Sequence, residues 1–342
     1  MPDPALDALM LPFTSGLLDW PKGGALFLRA REGMALRAHA PRSLACEQTF
    51  RPAHDALAQA GFDVREAGDD RFPMVLVLPP RQRDEARALF AQALSRVEPG
   101  GTVVVAMPNE AGAKSGQADF EALFGGCTSL SKHKCRVFWR QAGAGADAAL
   151  GAQWRGLDAP RTILDGRYTS RPGVFAWDRV DIASALLARH LPATLSGHGA
   201  DLGAGWGYLS DEVLLRCTGV TALDVIEAEL RALDCAKTNL AAHAPRVALD
   251  FQWRDVTRGL PGRYDFIVTN PPFHALRGES RPDIGRAFIV SAADALKPGG
   301  TLWLVANRQL PYEQVLDARF GEVRIVAQES GFKIVAATKA KR

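Results

Sequence analysis

Asn270-Pro271-Pro272-Phe273 closes the run Tyr264-Asp265-Phe266-Ile267-Val268-Thr269, which reads as a buried strand running straight into a rigid turn. Two prolines fix φ and remove two backbone donors, so the carbonyls of the turn remain acceptors, while the Asn side chain offers an acceptor and two donors. An exocyclic amine fits between such acceptors. Phe273 adds a flat face for a planar ring, an interaction worth roughly 1–3 kcal/mol per base in nucleic-acid sites. These residue types permit group transfer to a planar amine. Asn-Pro and Pro-Pro are also ordinary turn punctuation, so the second reactant must be sought elsewhere in the chain.

A second turn supplies it. Gly199-Ala200-Asp201-Leu202-Gly203-Ala204-Gly205-Trp206-Gly207-Tyr208-Leu209-Ser210 precedes the helical stretch Asp211-Glu212-Val213-Leu214-Leu215-Arg216, a glycine-rich passage from strand to helix of the kind that lets backbone approach a nucleotide. The spacing is Gly203-x-Gly205-x-Gly207, with Tyr208 where a dinucleotide fingerprint wants its last glycine. Asp201 would repel a pyrophosphate. It suits a cofactor with a cationic amino-acid end and no phosphate, which describes S-adenosylmethionine. Asp224, ending the β-rich run Val220-Thr221-Ala222-Leu223, is expected to accept the ribose hydroxyls, and Asp255, after Phe251-Gln252-Trp253-Arg254, the adenine amine. Each acid alone could be a turn or cap residue; the three together point at one cofactor.

These motifs resemble the class I S-adenosylmethionine-dependent methyltransferases. The turn Asn270-Pro271-Pro272-Phe273-His274 is similar to the branch that methylates exocyclic base amines. Arg171-Pro172-Gly173-Val174-Phe175, Val305-Ala306-Asn307-Arg308-Gln309-Leu310-Pro311-Tyr312 and Gly331-Phe332-Lys333-Ile334 resemble the bacterial ribosomal RNA guanine-N2 methyltransferases, above all those acting on 16S rRNA. The resemblance is dense over the C-terminal half and loose over the N-terminal half. It implies 16S rRNA within a 30S particle as substrate, with the Asn270 oxygen and Pro271 carbonyl accepting the amine hydrogens and Phe273 stacking on the base. 23S rRNA, adenine N6 and a protein glutamine amide also fit the turn. Residues 275–285 form a candidate lid, and Ala275-Leu276-Arg277 departs from the acid-and-glycine continuation usual there, which bears on substrate choice.

The chain also repeats itself. Ala86–Val105 and Gly285–Leu304 both read as helix, Pro-Gly-Gly turn and strand, and Met74-Val75-Leu76-Val77-Leu78-Pro79-Pro80 parallels Phe266–Pro272. In the first copy Leu78 replaces the Asn, Arg81 the Phe, and the glycine loop is missing. The expected fold is therefore α/β, two tandem doubly wound Rossmann-like methyltransferase domains with the N-terminal one degenerate. Residues 1–145 would be the degenerate domain, structural or recruiting substrate, and 146–342 the catalytic one. The small-residue stretch Gly143 to Gly151 is read as the linker. Such a duplication makes a monomer sufficient.

Composition limits the alternatives. The 342 residues are 47% hydrophobic and 23% charged, the balance of a globular protein. The acidic start Met1-Pro2-Asp3 and the want of a long apolar run predict neither a secretory signal nor a membrane span, and hence a cytoplasmic protein. Five scattered cysteines without a C-x-x-C pair predict no disulfide framework and no metal. A net charge of +3 is small for an RNA-binding protein, but Lys114, Lys132, Lys134 and Arg136, together with Arg155, Arg161, Arg167, Arg171 and Arg179, gather positive charge where an RNA backbone could lie.

Overall fold

The computed structural model describes residues 3–143, 145–272 and 282–341. The chain divides into two units, Met1–Ala159 and Pro160–Arg342. The first contains β1 (Ala25–Leu28), β2 (Leu44–Glu47), β3 (Asp63–Arg65), β4 (Phe72–Val77), β5 (Val97–Pro108), β6 (Thr128–Lys132) and β7 (Cys135–Gln141), in the sheet order 3-2-1-4-5-7-6. The second opens with a small hairpin, β8 (Arg161–Ile163) and β9 (Tyr168–Ser170). Its main sheet holds β10 (Ser196–Leu202), β11 (Gly219–Glu227), β12 (Ala248–Trp253), β13 (Tyr264–Thr269), β14 (Leu296–Asn307), β15 (Glu322–Glu329) and β16 (Phe332–Thr338). The order 12-11-10-13-14-16-15 repeats that of the first unit strand for strand. In both, five strands are parallel and the closing hairpin is antiparallel.

The strands of the second unit are apolar on both faces because both faces are covered, as parallel sheets require. Phe266, Val268, Trp303 and Val305 pack with Leu186, Leu187, Val213, Leu233 and Leu240 from the helices Ile182–His190, Tyr208–Arg216 and Leu230–Leu240. The alternate residues Ile267, Leu302 and Leu304 pack with Phe288, Ile289 and Leu316 from Pro282–Ala295 and Glu313–Arg319. This is the doubly wound arrangement. No helix among the described residues is long and apolar enough to cross a membrane.

The division falls later than the small-residue stretch indicated. Asp147 caps the helix Ala148–Trp154 by accepting from the Leu150 amide at 2.9 Å. Trp154 is buried with Phe90 and Leu123, and Gly151 lies against Leu94 and Leu123. Alanine and glycine here serve close helix packing, so the stretch belongs to the first unit rather than linking the two.

Close packing also fixes Gly199. It pairs with Phe266 across β10 and β13, and a Cβ there would stand 2.1 Å from the Phe266 ring. Overpacking of this kind costs about 1–3 kcal/mol. Gly199→Ala should therefore lower the thermal melting temperature by several degrees, as followed by circular dichroism; an unchanged transition would show that the ring has room to move.

Candidate active site

Register decides what meets at the carboxyl edge of the sheet. Leu202 is paired with Ile226 on one side and Thr269 on the other. The residues that follow, Gly203, Glu227 and Asn270, therefore emerge side by side. The glycine loop is tied down at once, as the Ile226 carbonyl accepts from the amides of Gly203 (2.8 Å) and Ala204 (3.1 Å). Gly203, Gly205 and Gly207 all hold positive φ, at 72°, 57° and 90°. Around Gly207 a Cβ would crowd Ala236, whereas around Gly205 there is open space. That space is the cleft lined by Phe175, Asp181, Ser184, Asp201, the Gly203–Trp206 loop, Tyr208, Leu209 and Asn270.

Two acids shape its electrostatics. Asp201 is 1% exposed and accepts from the Ser210 hydroxyl at 2.7 Å. Burial pushes its pKa up to about 7; the Ser210 bonds oppose this shift, and the charge of Glu227 adds to it. Glu227 accepts from the Gly205 amide and the Glu229 amide, both at 2.8 Å, and burial raises its pKa as well.

The expected ribose acid needs correcting. Asp224 does not end its strand, because β11 continues through Val225 and Ile226 to Glu227. Its carboxylate is occupied by His198 Nε2 (2.7 Å), Tyr264 Oη (2.7 Å) and Gln252 Nε2 (2.9 Å), in a network within the sheet. Glu227, which the sequence reading passed over, holds the strand-end position beside Gly205. Asp255 follows β12 and caps the turn Val256–Arg258, accepting from the Thr257 amide (2.9 Å) and hydroxyl (2.6 Å). The Arg254 amide bonded to the Glu227 carbonyl (3.0 Å) keeps this loop beside the acid pair.

Asn270 directly follows β13 and Pro271 is buried after it; Phe273, His274 and the candidate lid through residue 281 lie outside the described residues. The Asn270 amide nitrogen donates to Asp181 Oδ2 and to Ser184 Oγ, both at 2.9 Å. A carboxylate can only accept, so this contact sets the amide's orientation and leaves Oδ1 of this cleft-lining residue as the acceptor. Asp181 and Ser184 were missed from sequence, although Asp181-x-x-Ser184 at the start of an apolar run is a helix-start signal. Phe175 is 62% exposed at the cleft. Ala176 beside it holds a left-handed φ of 48°, uncommon for a side-chain-bearing residue, and its carbonyl accepts from the Trp206 indole at 3.3 Å. Trp206 itself is buried against Tyr168 and Tyr208, a packing role.

The positive charge divides. Arg167 is engaged by Asp211 and Glu212, Arg179 by Asp178, and Arg161 stacks over Trp177. Lys132, His133 and Lys134 are exposed at the tip of the β6–β7 hairpin, the latter two with φ of 54° and 57°. Among the described residues no His, Cys, Asp and Glu cluster could hold a metal ion.

A parallel sheet closed by an antiparallel hairpin, with a glycine loop after its first strand and an acid ending the second, defines a Rossmann-like methyltransferase domain. Residues 165–336, just over half of the chain, match the methyltransferase small domain model, and the chain belongs to that family. It is 28% identical over 269 residues to the Shewanella baltica (strain OS195) ribosomal RNA small subunit methyltransferase C, covering 78% of this chain and 76% of the relative. It is 30% identical over 325 residues to the Streptomyces avermitilis ribosomal RNA large subunit methyltransferase G, covering 89% and 83%. Among solved structures, the T. thermophilus 16S rRNA N2 G1207 methyltransferase (RsmC), in complex with AdoMet and guanosine, aligns with a TM-score of 0.80 and 26% identity over 98% of this chain and 92% of its own.

The raised Asp201 pKa has a sign that stability can test. Folded Asp201 keeps its proton up to about pH 7, whereas the unfolded chain loses it near 3.8. The unfolded state therefore gains stability between those two values, and the penalty is constant above them. Asp201→Asn should raise the melting temperature of the ligand-free protein more at about pH 8 than at about pH 5. A stabilisation independent of pH would mean that Asp201 titrates normally.

Proposed function

We propose that this chain transfers the methyl group of S-adenosylmethionine to the N2 amine of a guanine in 16S rRNA, acting on the 30S particle as a cytoplasmic monomer. One observation carries the reading: Asn270, its amide nitrogen held by Asp181 and Ser184, lines the cleft just after the strand adjacent to a glycine loop flanked by Asp201 and Glu227. The small-subunit relatives and the T. thermophilus structure support it. S-adenosylmethionine supplies a methyl on a sulfonium, a good leaving group. The Gly203–Gly205 backbone and Glu227 would hold the nucleoside, and Asp201 its amino-acid end. Asp255 would face the adenine.

Guanine N2 is a poor nucleophile because its lone pair is delocalised into the ring. Asn270 Oδ1 and the Pro271 carbonyl accept its two hydrogens and direct the lone pair at the methyl carbon. Bound S-adenosylmethionine would supply the methyl group and leave as the neutral thioether, while the surplus amine proton would pass to water. Alignment is the principal contribution. Phe273, next in the chain, would stack on the base, and Phe175 is an exposed ring at the cleft. The hairpin cations Lys132 and Lys134 would meet RNA phosphate, with the first unit recruiting substrate.

The test is transfer of labelled methyl from S-adenosylmethionine to 16S rRNA, 23S rRNA and isolated 30S and 50S particles, followed by nucleoside analysis. N2-methylguanosine from 16S rRNA or 30S particles is expected. The same nucleoside from 23S rRNA or 50S particles alone would favour the second reading, which the large-subunit relative supports. Asn270→Ala should lower turnover by at least roughly 100-fold while cofactor affinity stays nearly intact; parallel loss of both would remove Asn270 from the chemistry. Cofactor binding should weaken as pH falls below about 7, where a proton competes with the ligand's ammonium for Asp201. The slope should approach about tenfold per pH unit and vanish in Asp201→Asn. A pH-independent affinity in the unsubstituted protein would place the ammonium elsewhere.

A further inference from the structure

We infer that Asp181 and Ser184 are positioning residues for Asn270 and that the charge of Asp181 decides which atom Asn270 presents to the substrate amine. The inference rests on the methyl-transfer reading above and concerns residues that do not contact the reacting atoms in it. Asn270 is 89 residues from Asp181 in the chain, yet its amide nitrogen lies 2.9 Å from both Asp181 Oδ2 and Ser184 Oγ. Asp181 Oδ2 also accepts from the Ser184 amide at 2.9 Å, capping the helix Ile182–His190. One oxygen thus starts the helix and orients the asparagine.

A neutral acceptor would not do this. An unrestrained asparagine amide can rotate to offer either NH2 or oxygen, and the NH2 form would meet the amine hydrogens of the substrate donor to donor. Opposite a carboxylate the flipped form sets oxygen against oxygen. A charge-assisted bond of this kind favours one orientation by roughly ten- to a hundredfold. The first unit provides an internal comparison. The helix Pro4–Thr14, which likewise precedes the first strand of its sheet, is also capped by an aspartate, Asp3. There Leu78 occupies the position of Asn270, and Asp3 pairs with Arg31 at 3.2 Å instead. Capping does not require an asparagine partner, so the contact to Asn270 is a separate property of Asp181.

Exchange of the two side chains tests this. Asp181→Asn keeps the size and the helix cap but no longer forces the Asn270 orientation. Asn270→Asp sets two carboxylates together. In the double variant an amide at 181 that turns its nitrogen to the Oδ2 position donates to a carboxylate at 270, whose second oxygen is an acceptor, at the expense of the helix cap, because the same atom now accepts from the Ser184 amide. Turnover on the RNA that the unsubstituted enzyme methylates, KM, cofactor affinity and melting temperature would be measured for all four proteins. Asp181→Asn is expected to lower kcat roughly ten- to a hundredfold with KM, cofactor affinity and melting temperature nearly unchanged, and the double variant to be more active than either single one. Full kcat in Asp181→Asn, or a double variant no better than the worse single, would overturn the inference. An unsubstituted enzyme that makes no N2-methylguanosine would overturn the proposed function instead.

Discussion

Parallel pairing of β11, β10 and β13 is the constraint on which the site depends. Because Leu202 is in register with both Ile226 and Thr269, the three strands run out together. Glu227, Gly203 and Asn270 are then neighbours without any further device. Carboxyl edges of open parallel sheets collect ligand sites for this reason: the chain must turn there, and backbone amides of the turn are unpaired until something accepts from them. In this protein the Ile226 carbonyl takes the first two amides and Glu227 the third, leaving the concave side of the loop to a ligand. A one-residue slip of β10 against β11 would move the loop away from Glu227 and also exchange the two faces of the strand.

The first unit shows what the same topology does without those side chains. Its sheet has the identical order, and Leu28 is paired with Glu47 and Val77 as Leu202 is with Ile226 and Thr269. Phe27 then occupies the register position of Asp201, Leu78 that of Asn270, and Arg29 that of Gly203. Arg29 even keeps a left-handed φ of 53° where Gly203 has 72°, although a side chain makes that conformation costly. Its guanidinium is bound by the buried Glu85. The two units share this backbone path with and without a glycine, and an ion pair sits at the turn where the second unit has its glycine loop. Fold and chemistry are separable here within one chain.

That separation explains which parts were legible in the sequence. The Asn-Pro-Pro turn, the glycine loop and the repeat were readable because each is a local pattern with a backbone reason behind it. Asp224 was misread because the end of a strand is not written in its composition: Asp-Val-Ile-Glu is as good a strand continuation as a strand end, and only pairing with β10 and β12 shows that three more residues follow. The Gly143 to Gly151 stretch looked like a linker because small residues serve flexible chain and tight helix contact alike. Asp181 was out of reach for another reason. Its contact with Asn270 is made by tertiary packing of the helix Ile182–His190 against the sheet, and no local spacing announces it.

The two acids at the cleft work against the folded protein when nothing cationic is near. Asp201 sits in an almost fully enclosed position and its pKa is raised partly by Glu227, so ionising it costs stability. A purely structural site would be better served by asparagine, which could accept the same Ser210 hydrogen bond without the charge. Retaining a carboxylate there makes sense only if a positive group arrives to stabilise it, and the ligand's binding energy then includes relief of that cost. The Asp181–Asn270 pair differs: its carboxylate is satisfied within the protein, by the Ser184 amide and the Asn270 amide, in the absence of any ligand. One carboxylate is held ready for a cation, and the other is used up in aiming a neutral amide. Placing them on adjoining elements gives the cleft a cation-seeking end and an amine-accepting end, which is the polarity needed to bring a sulfonium and an amine into line.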